Sequence, residues 1–157
     1  MTSPATAARP VAILCVSGPN LQLLGRREPD VYGLETLDAI HARLATRAGE
    51  LGCRLEAKQT NHEGTMVDWI GAAPGAFDGI LLNPGAYTHT SIALHDALRA
   101  VGLPCVEVHL SNPDARESFR RRSRVAPACI GRVAGFAGDS YLLALDGLVN
   151  KLRRVSG

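Results

Sequence analysis

The chain carries almost no surplus charge of either sign: 17 Lys and Arg stand against 15 Asp and Glu, a formal +2 at pH 7. A protein whose partner is bulk nucleic acid needs a far larger basic excess, so that class is set aside. The one local exception, Arg120-Arg121-Arg122-Ser123-Arg124, reads as a solvated face rather than a phosphate stripe. Cysteine is scarce. Cys15, Cys53, Cys105 and Cys129 form no CxxC pair and have no histidine at zinc-finger spacing, which argues against structural zinc and a disulfide framework. Small buried thiols in a reducing compartment account for them. No apolar run approaches membrane-spanning length, and residues 1–10 are small and polar without a signal-like apolar core. The expected location is the cytoplasm, with residues 1–10 a short flexible leader ahead of one domain over residues 11–157.

Several functional signatures are also missing. There is no GxxxxGK[ST] loop for nucleotide phosphates, no GxGxxG after the first apolar run, no HExxH and no GxSxG elbow. His41 and His95 fall inside helical patterns as surface or packing residues. His62-Glu63 sits in a turn with no obvious partner, and Gly135-Phe136-Ala137-Gly138 is a lone GxxG that suits close packing.

What is present is ordinary for a folded domain: 157 residues, 46% hydrophobic and 20% charged, which excludes disorder as the main state. Five apolar, partly β-branched runs recur, at residues 11–16, 54–59, 79–83, 105–110 and 130–136. Helical periodicity lies between them. Leu34, Leu37, Ile40, Leu44, Ala48 and Leu51 mark one helix face ended by Gly52; residues 65–73 form a shorter helix ended by Pro74-Gly75. Leu94, Ala97, Leu98 and Val101 mark a third helix before Gly102 and Pro104, and Tyr141, Leu145, Leu148 and Leu152 a last one, with Lys151, Arg153 and Arg154 at its negative end. Strand and helix alternating in this way imply a five-stranded parallel sheet covered on both faces, an α/β flavodoxin-like doubly wound fold.

In such a fold ligands sit beyond the carboxyl ends of the strands. The polar loop from Gly18 to Gly33 directly follows the first run and puts Tyr32 close in sequence to Arg26 and Arg27. A phenol has a pKa of about 10, so ionising it at neutral pH takes roughly 4 kcal/mol. A cation at ~4 Å returns about that much at an effective dielectric of ~20, before desolvation is subtracted. The loop is suited to making a phenolate base; the plain alternative is a surface loop with solvated arginines.

Further candidates follow the third and fourth runs. Glu107 and His109, two apart in a strand, point to the same face, so the carboxylate orients the imidazole for work as a general acid. Leu110, Ser111 and Asn112 then open a turn toward a helical segment, where backbone N–H groups and a hydroxyl suit a carboxylate. Arg116 and Arg120, four apart, share a face if that segment is helical. Asn83 can fix a water or ligand oxygen through its amide, and His89 either reads a substrate hydroxyl or caps the turn. Together these groups fit proton abstraction α to a carbonyl followed by loss of a hydroxyl, with no metal and no organic cofactor. Tyr32 takes the proton, Asn20 steadies the enolate through a water, and His109 protonates the leaving oxygen.

The stretches GPNLQLLGRREPDVYG, QTNHEG, LNPGAYTHTSIALHDAL and EVHLSNPDARESFR closely resemble those of the type II 3-dehydroquinate dehydratases, and the likeness runs over nearly the whole chain. The resemblance implies anti elimination of water from 3-dehydroquinate through an enolate, giving 3-dehydroshikimate, in aromatic amino-acid biosynthesis or quinate breakdown. It implies Tyr32 as base, Arg27 as the cation beside it, Asn20 on the enolate water and His109 as acid. Asn83, Leu110 and Ser111 match contacts to the substrate carboxylate and ring hydroxyl, and His89 and Arg120 further hydroxyl contacts. Asp96 matches a residue that reaches a neighbouring subunit's site, implying a trimer-based homododecamer. The segment from Asn20 to Tyr32 resembles a mobile lid. Gln22, Asp114, Arg122 and Ser140 depart from the family's common residues, none of them at the catalytic positions. Three other readings stand beside this one: a flavin-binding electron carrier on the same fold, a signalling receiver domain, and a non-catalytic relative. The first lacks a hydroxyl-rich loop after the first run; the second lacks acidic residues there, where Ser17 and Asn20 stand.

Overall fold

Period-2 alternation of apolar side chains divides each central strand between two cores. A computed structural model describes residues 9–156. Its five strands are β1 (Ala12–Ser17), β2 (Arg54–Gln59), β3 (Gly79–Asn83), β4 (Cys105–His109) and β5 (Gly131–Ala134), all parallel in the order β2-β1-β3-β4-β5. Ile13 and Cys15 of β1, Leu81 of β3 and Val106 and Val108 of β4 face one core; Ala12, Leu14, Val16, Ile80, Leu82 and Cys105 face the other. The three central strands are buried throughout, as double coverage requires.

The helices are a single turn α1 (Pro29–Tyr32), then α2 (Leu37–Glu50), α3 (Glu63–Gly71), α4 (Ile92–Val101) and α5 (Asp139–Val155). Leu37, Ile40, Leu44 and Ala48 of α2 join Tyr141, Leu145 and Leu148 of α5 in the first core, while Met66 and Ile70 of α3 and Leu94 and Leu98 of α4 fill the second. This is the doubly wound arrangement expected from the sequence. No helix among the described residues is long and apolar enough to cross a membrane.

Several boundaries differ from the sequence reading. Leu34 lies outside α2 and is 76% exposed, because the Thr36 hydroxyl accepts from the Ala39 N–H at 3.1 Å and starts the helix after it. Leu51 is the C-cap of α2 rather than a member of its face. The short helix begins at Glu63, whose carboxylate suits the positive helix end, and finishes before Ala72. β5 is trimmed to Gly131–Ala134; Ile130 and Phe136 flank it, exposed, and Gly135 turns the chain away at φ 97°. The segment after β4 is not an α-helix but a run of tight turns at Pro113–Ala115, Ser118–Arg120 and Ala126–Ala128. Of the expected leader, residues 1–8 lie outside the described residues; Arg9 is held 2.8 Å from Asp78. The four cysteines are free, and burial pushes the Cys15 thiol up to about 12 against a weaker opposing hydrogen bond with Ser17.

Candidate active site

Strand order reverses at β1: the chain leaves it for β2 on one side and returns to β3 on the other, opening a crevice beyond the carboxyl ends of both. A cavity of about 190 Å³ occupies that crevice. Its floor depends on a close backbone approach. The Gly18 N–H donates to the Asn83 carbonyl at 2.8 Å, and a Cβ at Gly18 would fall 2.7 Å from the Pro84 carbonyl oxygen.

The loop after β1 brings Asn20 to the cavity in a left-handed conformation, φ 68°, which asparagine tolerates better than most residues. Its backbone N–H donates to Asn61 Oδ1 at 3.0 Å, and Gln59 Nε2 donates to the Gly18 carbonyl and to Gln22 Oε1, each at 3.1 Å. The QTNHEG segment thus braces the loop from behind. Further along, Pro29 at the first helical position and Gly33 at φ 81° bound the single turn that carries Tyr32. The Arg27 guanidinium lies 4.8 Å from the Tyr32 ring centroid, with Nη2 3.5 Å from the phenol oxygen. Arg116 approaches the same ring at 5.2 Å. The phenol is flanked by two cations drawn from opposite halves of the chain.

Across the cavity, His109 ends β4 and is buried apart from the edge facing the crevice. Its Nε2 lies 2.5 Å from Glu107 Oε2. Glu107 is fully buried; it also accepts from Thr88 Oγ1 at 2.5 Å and from Ser123 Oγ at 2.8 Å. Burial pushes the Glu107 carboxyl up, but the hydrogen bond and charge of His109, the Thr88 hydroxyl and the nearby Arg132 together hold it below the ordinary carboxylate value. An ionised carboxylate only accepts, so His109 donates through Nε2–H.

Asn83 is buried at the end of β3. Its Oδ1 accepts from the Gly85 N–H at 3.1 Å, and its Nδ2 donates to the Tyr141 hydroxyl at 2.9 Å. Tyr141 in turn shares a 2.9 Å hydrogen bond with Ser17. His89 is held by its Nδ1–H on the Arg122 carbonyl at 2.8 Å. Ser111 Oγ accepts from Arg116 Nη1 at 3.3 Å, and Arg120 is clamped by Glu117 at 2.6 Å.

This combination of a cation-flanked phenol facing a carboxylate-bound imidazole agrees with the comparison to known proteins. The family profile for class II dehydroquinases matches residues 11–149. The chain belongs to that family. A 3-dehydroquinate dehydratase of Geotalea daltonii is 55% identical over 142 residues, covering 90% of this chain and 99% of that protein. One of a Nostoc species is 54% identical, covering 92% and 99%. The crystal structure of a type II dehydroquinase from Butyrivibrio crossotus aligns with a TM-score of 0.87 at 40% identity, covering 88% of this chain and 97% of that one. That from Propionibacterium acnes gives 0.85 at 44%, covering 88% and 96%. The reaction is dehydration of 3-dehydroquinate in the shikimate pathway, a hydro-lyase activity.

In this dehydroquinase, Asn20, Arg27, Tyr32, Asn83, His89, His109, Leu110, Ser111 and Arg120 all line the one cavity. Glu107 lies beneath it. Asp96 does not line it; it is exposed on α4 beside His95, Arg122 and Arg124. One expectation needs correction: Arg26 faces away, near Gln22, Asp38 and His41, and Arg116 is the second cation at Tyr32. Arg116 gets there from a turn, not from a helix face shared with Arg120. Thr88, Ser123 and Tyr141 carried no expected site role because a hydroxyl gives no sign of a partner distant in the chain: Ser123 stands in a basic run, Thr88 in a polar turn and Tyr141 on an apolar helix face. Ser140 is resolved as well: its buried hydroxyl accepts from the Phe136 N–H at 3.0 Å, closing the turn before α5.

Proposed function

We propose that Tyr32 is the base and His109 the acid of an anti elimination from 3-dehydroquinate. The observation that carries this is the lining of one cavity by both groups, the phenol with two guanidinium groups close to its ring and the imidazole on a buried carboxylate. Tyr32 takes the proton α to the carbonyl, with the Arg27 and Arg116 guanidinium groups beside its ring. Asn20 stabilises the enolate through a bound water. His109, its Nε2–H committed to Glu107, protonates the leaving hydroxyl through Nδ1. Asn83, Leu110 and Ser111 hold the substrate carboxylate and ring hydroxyl, and His89 and Arg120 contact further hydroxyls. The loop from Asn20 to Tyr32 closes over the bound substrate.

In this reading the dehydroquinase works without metal or organic cofactor, in the cytoplasm, with residues 11–157 as its single catalytic domain. It assembles as a trimer-based dodecamer in which Asp96, pointing away from its own cavity, completes a neighbour's. The test is an absorbance assay for the conjugated enone product with 3-dehydroquinate and chelator-treated, colourless protein. Product formation at full rate is expected; no product without an added metal or cofactor overturns the reading. Full activity in a sedimenting monomer removes the role of Asp96.

A further inference from the structure

Glu107 has two possible partners, and only one serves the reaction. On one side lies His109 Nε2, at 2.5 Å from Oε2. On the other lies Arg132 of β5, whose Nε is 3.6 Å from the same oxygen. The Nε and Nη2 atoms of Arg132 are buried and have no hydrogen-bond partner among the described residues. A guanidinium with unpaired buried N–H groups is a strong competitor for a carboxylate, because pairing would remove its desolvation cost. A small rotation of the Glu107 side chain toward β5 would satisfy Arg132 and release the imidazole.

Two hydroxyls oppose that rotation. Thr88 donates to Oε2 at 2.5 Å and Ser123 to Oε1 at 2.8 Å, so each carboxylate oxygen is held separately and the carboxylate plane is fixed. Neither hydroxyl is free to wander. Ser123 Oγ accepts from the Ala126 N–H at 2.9 Å, leaving its own hydrogen for Glu107. Thr88 is buried, and its carbonyl accepts from the Arg124 N–H at 2.6 Å. The segment around Ser123, which as sequence reads as a solvated basic face, is thereby stitched to the turn carrying Thr88 and His89.

The geometry points to Thr88 and Ser123 as positioning residues for the dehydration, holding Glu107 on His109 against the pull of Arg132. Neither touches the cavity's reacting groups; both act through Glu107. This rests on the reading of His109 as the acid.

The experiment is steady-state kinetics on the assembled enzyme for Thr88→Val, Ser123→Ala, the pair together, and each with Arg132→Met. Thr88→Val and Ser123→Ala are each expected to lower kcat by roughly tenfold, with KM changed less than about twofold, since ground-state contacts stay in place. Thr88→Ser, which keeps the hydroxyl, should retain wild-type kcat. Arg132→Met alone should leave kcat near wild type and, combined with Ser123→Ala, should recover most of the loss by removing the competitor. In a His109→Ala background neither hydroxyl substitution should lower kcat further. If Thr88→Val does not fold, Ser123→Ala with and without Arg132→Met decides alone. Unchanged kcat in the double hydroxyl variant overturns the proposal, as does a loss that Arg132→Met leaves untouched. Full activity of His109→Ala instead overturns the acid assignment on which it rests.

Discussion

Replacing Tyr141 with phenylalanine removes one oxygen from a fully buried ring and leaves the packing of α5 intact. That oxygen joins two strand ends. Burial pushes the phenol above its ordinary value, so it stays protonated, accepting from Asn83 Nδ2 and sharing a hydrogen bond with Ser17 Oγ. Two hydrogen bonds of about 1 kcal/mol each disappear, and the buried Asn83 and Ser17 groups each lose a partner, for a total loss of about 2–3 kcal/mol. For a chain of this length that lowers Tm by about 4–12 °C. Unfolding should be followed at matched protein concentration, since assembly contributes to apparent stability. Asn83 keeps its bond from the Gly85 N–H but loses the other half of its anchorage. Substrate binding should therefore weaken, with KM rising roughly three- to tenfold and kcat falling less. A Tyr141→Phe enzyme with unchanged Tm and unchanged KM would show that the buried hydroxyl does not hold the Asn83 amide in place.

Other expectations follow from the same geometry. Tyr32→Phe should lower kcat roughly 10²–10⁴-fold while substrate still binds, measured by turnover and by calorimetric titration; retained turnover would remove Tyr32 as the base. Arg27→Gln and Arg116→Gln should each lower kcat by removing a cation from the Tyr32 ring, and the pair further than either, measured by turnover; unchanged kcat in Arg116→Gln with a raised KM would confine its role to substrate contact. The carboxyl of Glu107 titrates lower folded than unfolded, so its contribution to stability is present above the unfolded value and disappears as pH falls through the folded one. Glu107→Gln should thus cost more stability at pH 7 than in acid below the folded value, read by denaturant midpoints across the acid range; a cost that never shrinks on acidification would contradict the sign. Gly18→Ala places a methyl against the Pro84 carbonyl and should destabilise by about 1–3 kcal/mol, with activity loss from separating Asn20 and Asn83. Wild-type stability in that variant would mean that the two loops part freely.

Most of the fold was legible as sequence because its signals are local. The continuous apolar run of β1 and the 3.6-residue spacing in α2 and α5 depend on nothing distant, and Gly102, at φ 68°, ends α4 where glycine was expected to. The errors fall where a local signal competed with a cap. Leu34 fits the periodicity of α2, but Thr36 sets the start. The site was legible where residues are neighbours in a strand or loop: Glu107 with His109, and Arg27 with Tyr32. It was not legible where contacts span the chain. Arg26 is closer in sequence to Tyr32 than Arg116 is, yet the turn at Pro113–Ala115 gives Arg116 the place beside the ring. The hydroxyl pairs on Glu107 and Asn83 connect residues 16 to 58 positions apart, and no spacing rule reports such meetings.

The wide separation of Arg27 and Arg116 along the chain also has a bearing on how catalytic competence is acquired. The tyrosine and its first guanidinium are in place once the opening strand and loop have formed, but the second arrives only after the fourth strand has docked and the turns beyond it have settled. Long-range closures of this kind come late and slowly. On refolding, regain of turnover should trail regain of secondary structure, so that a half-assembled polypeptide stays chemically silent until the stretch bearing the later cation has found its seat.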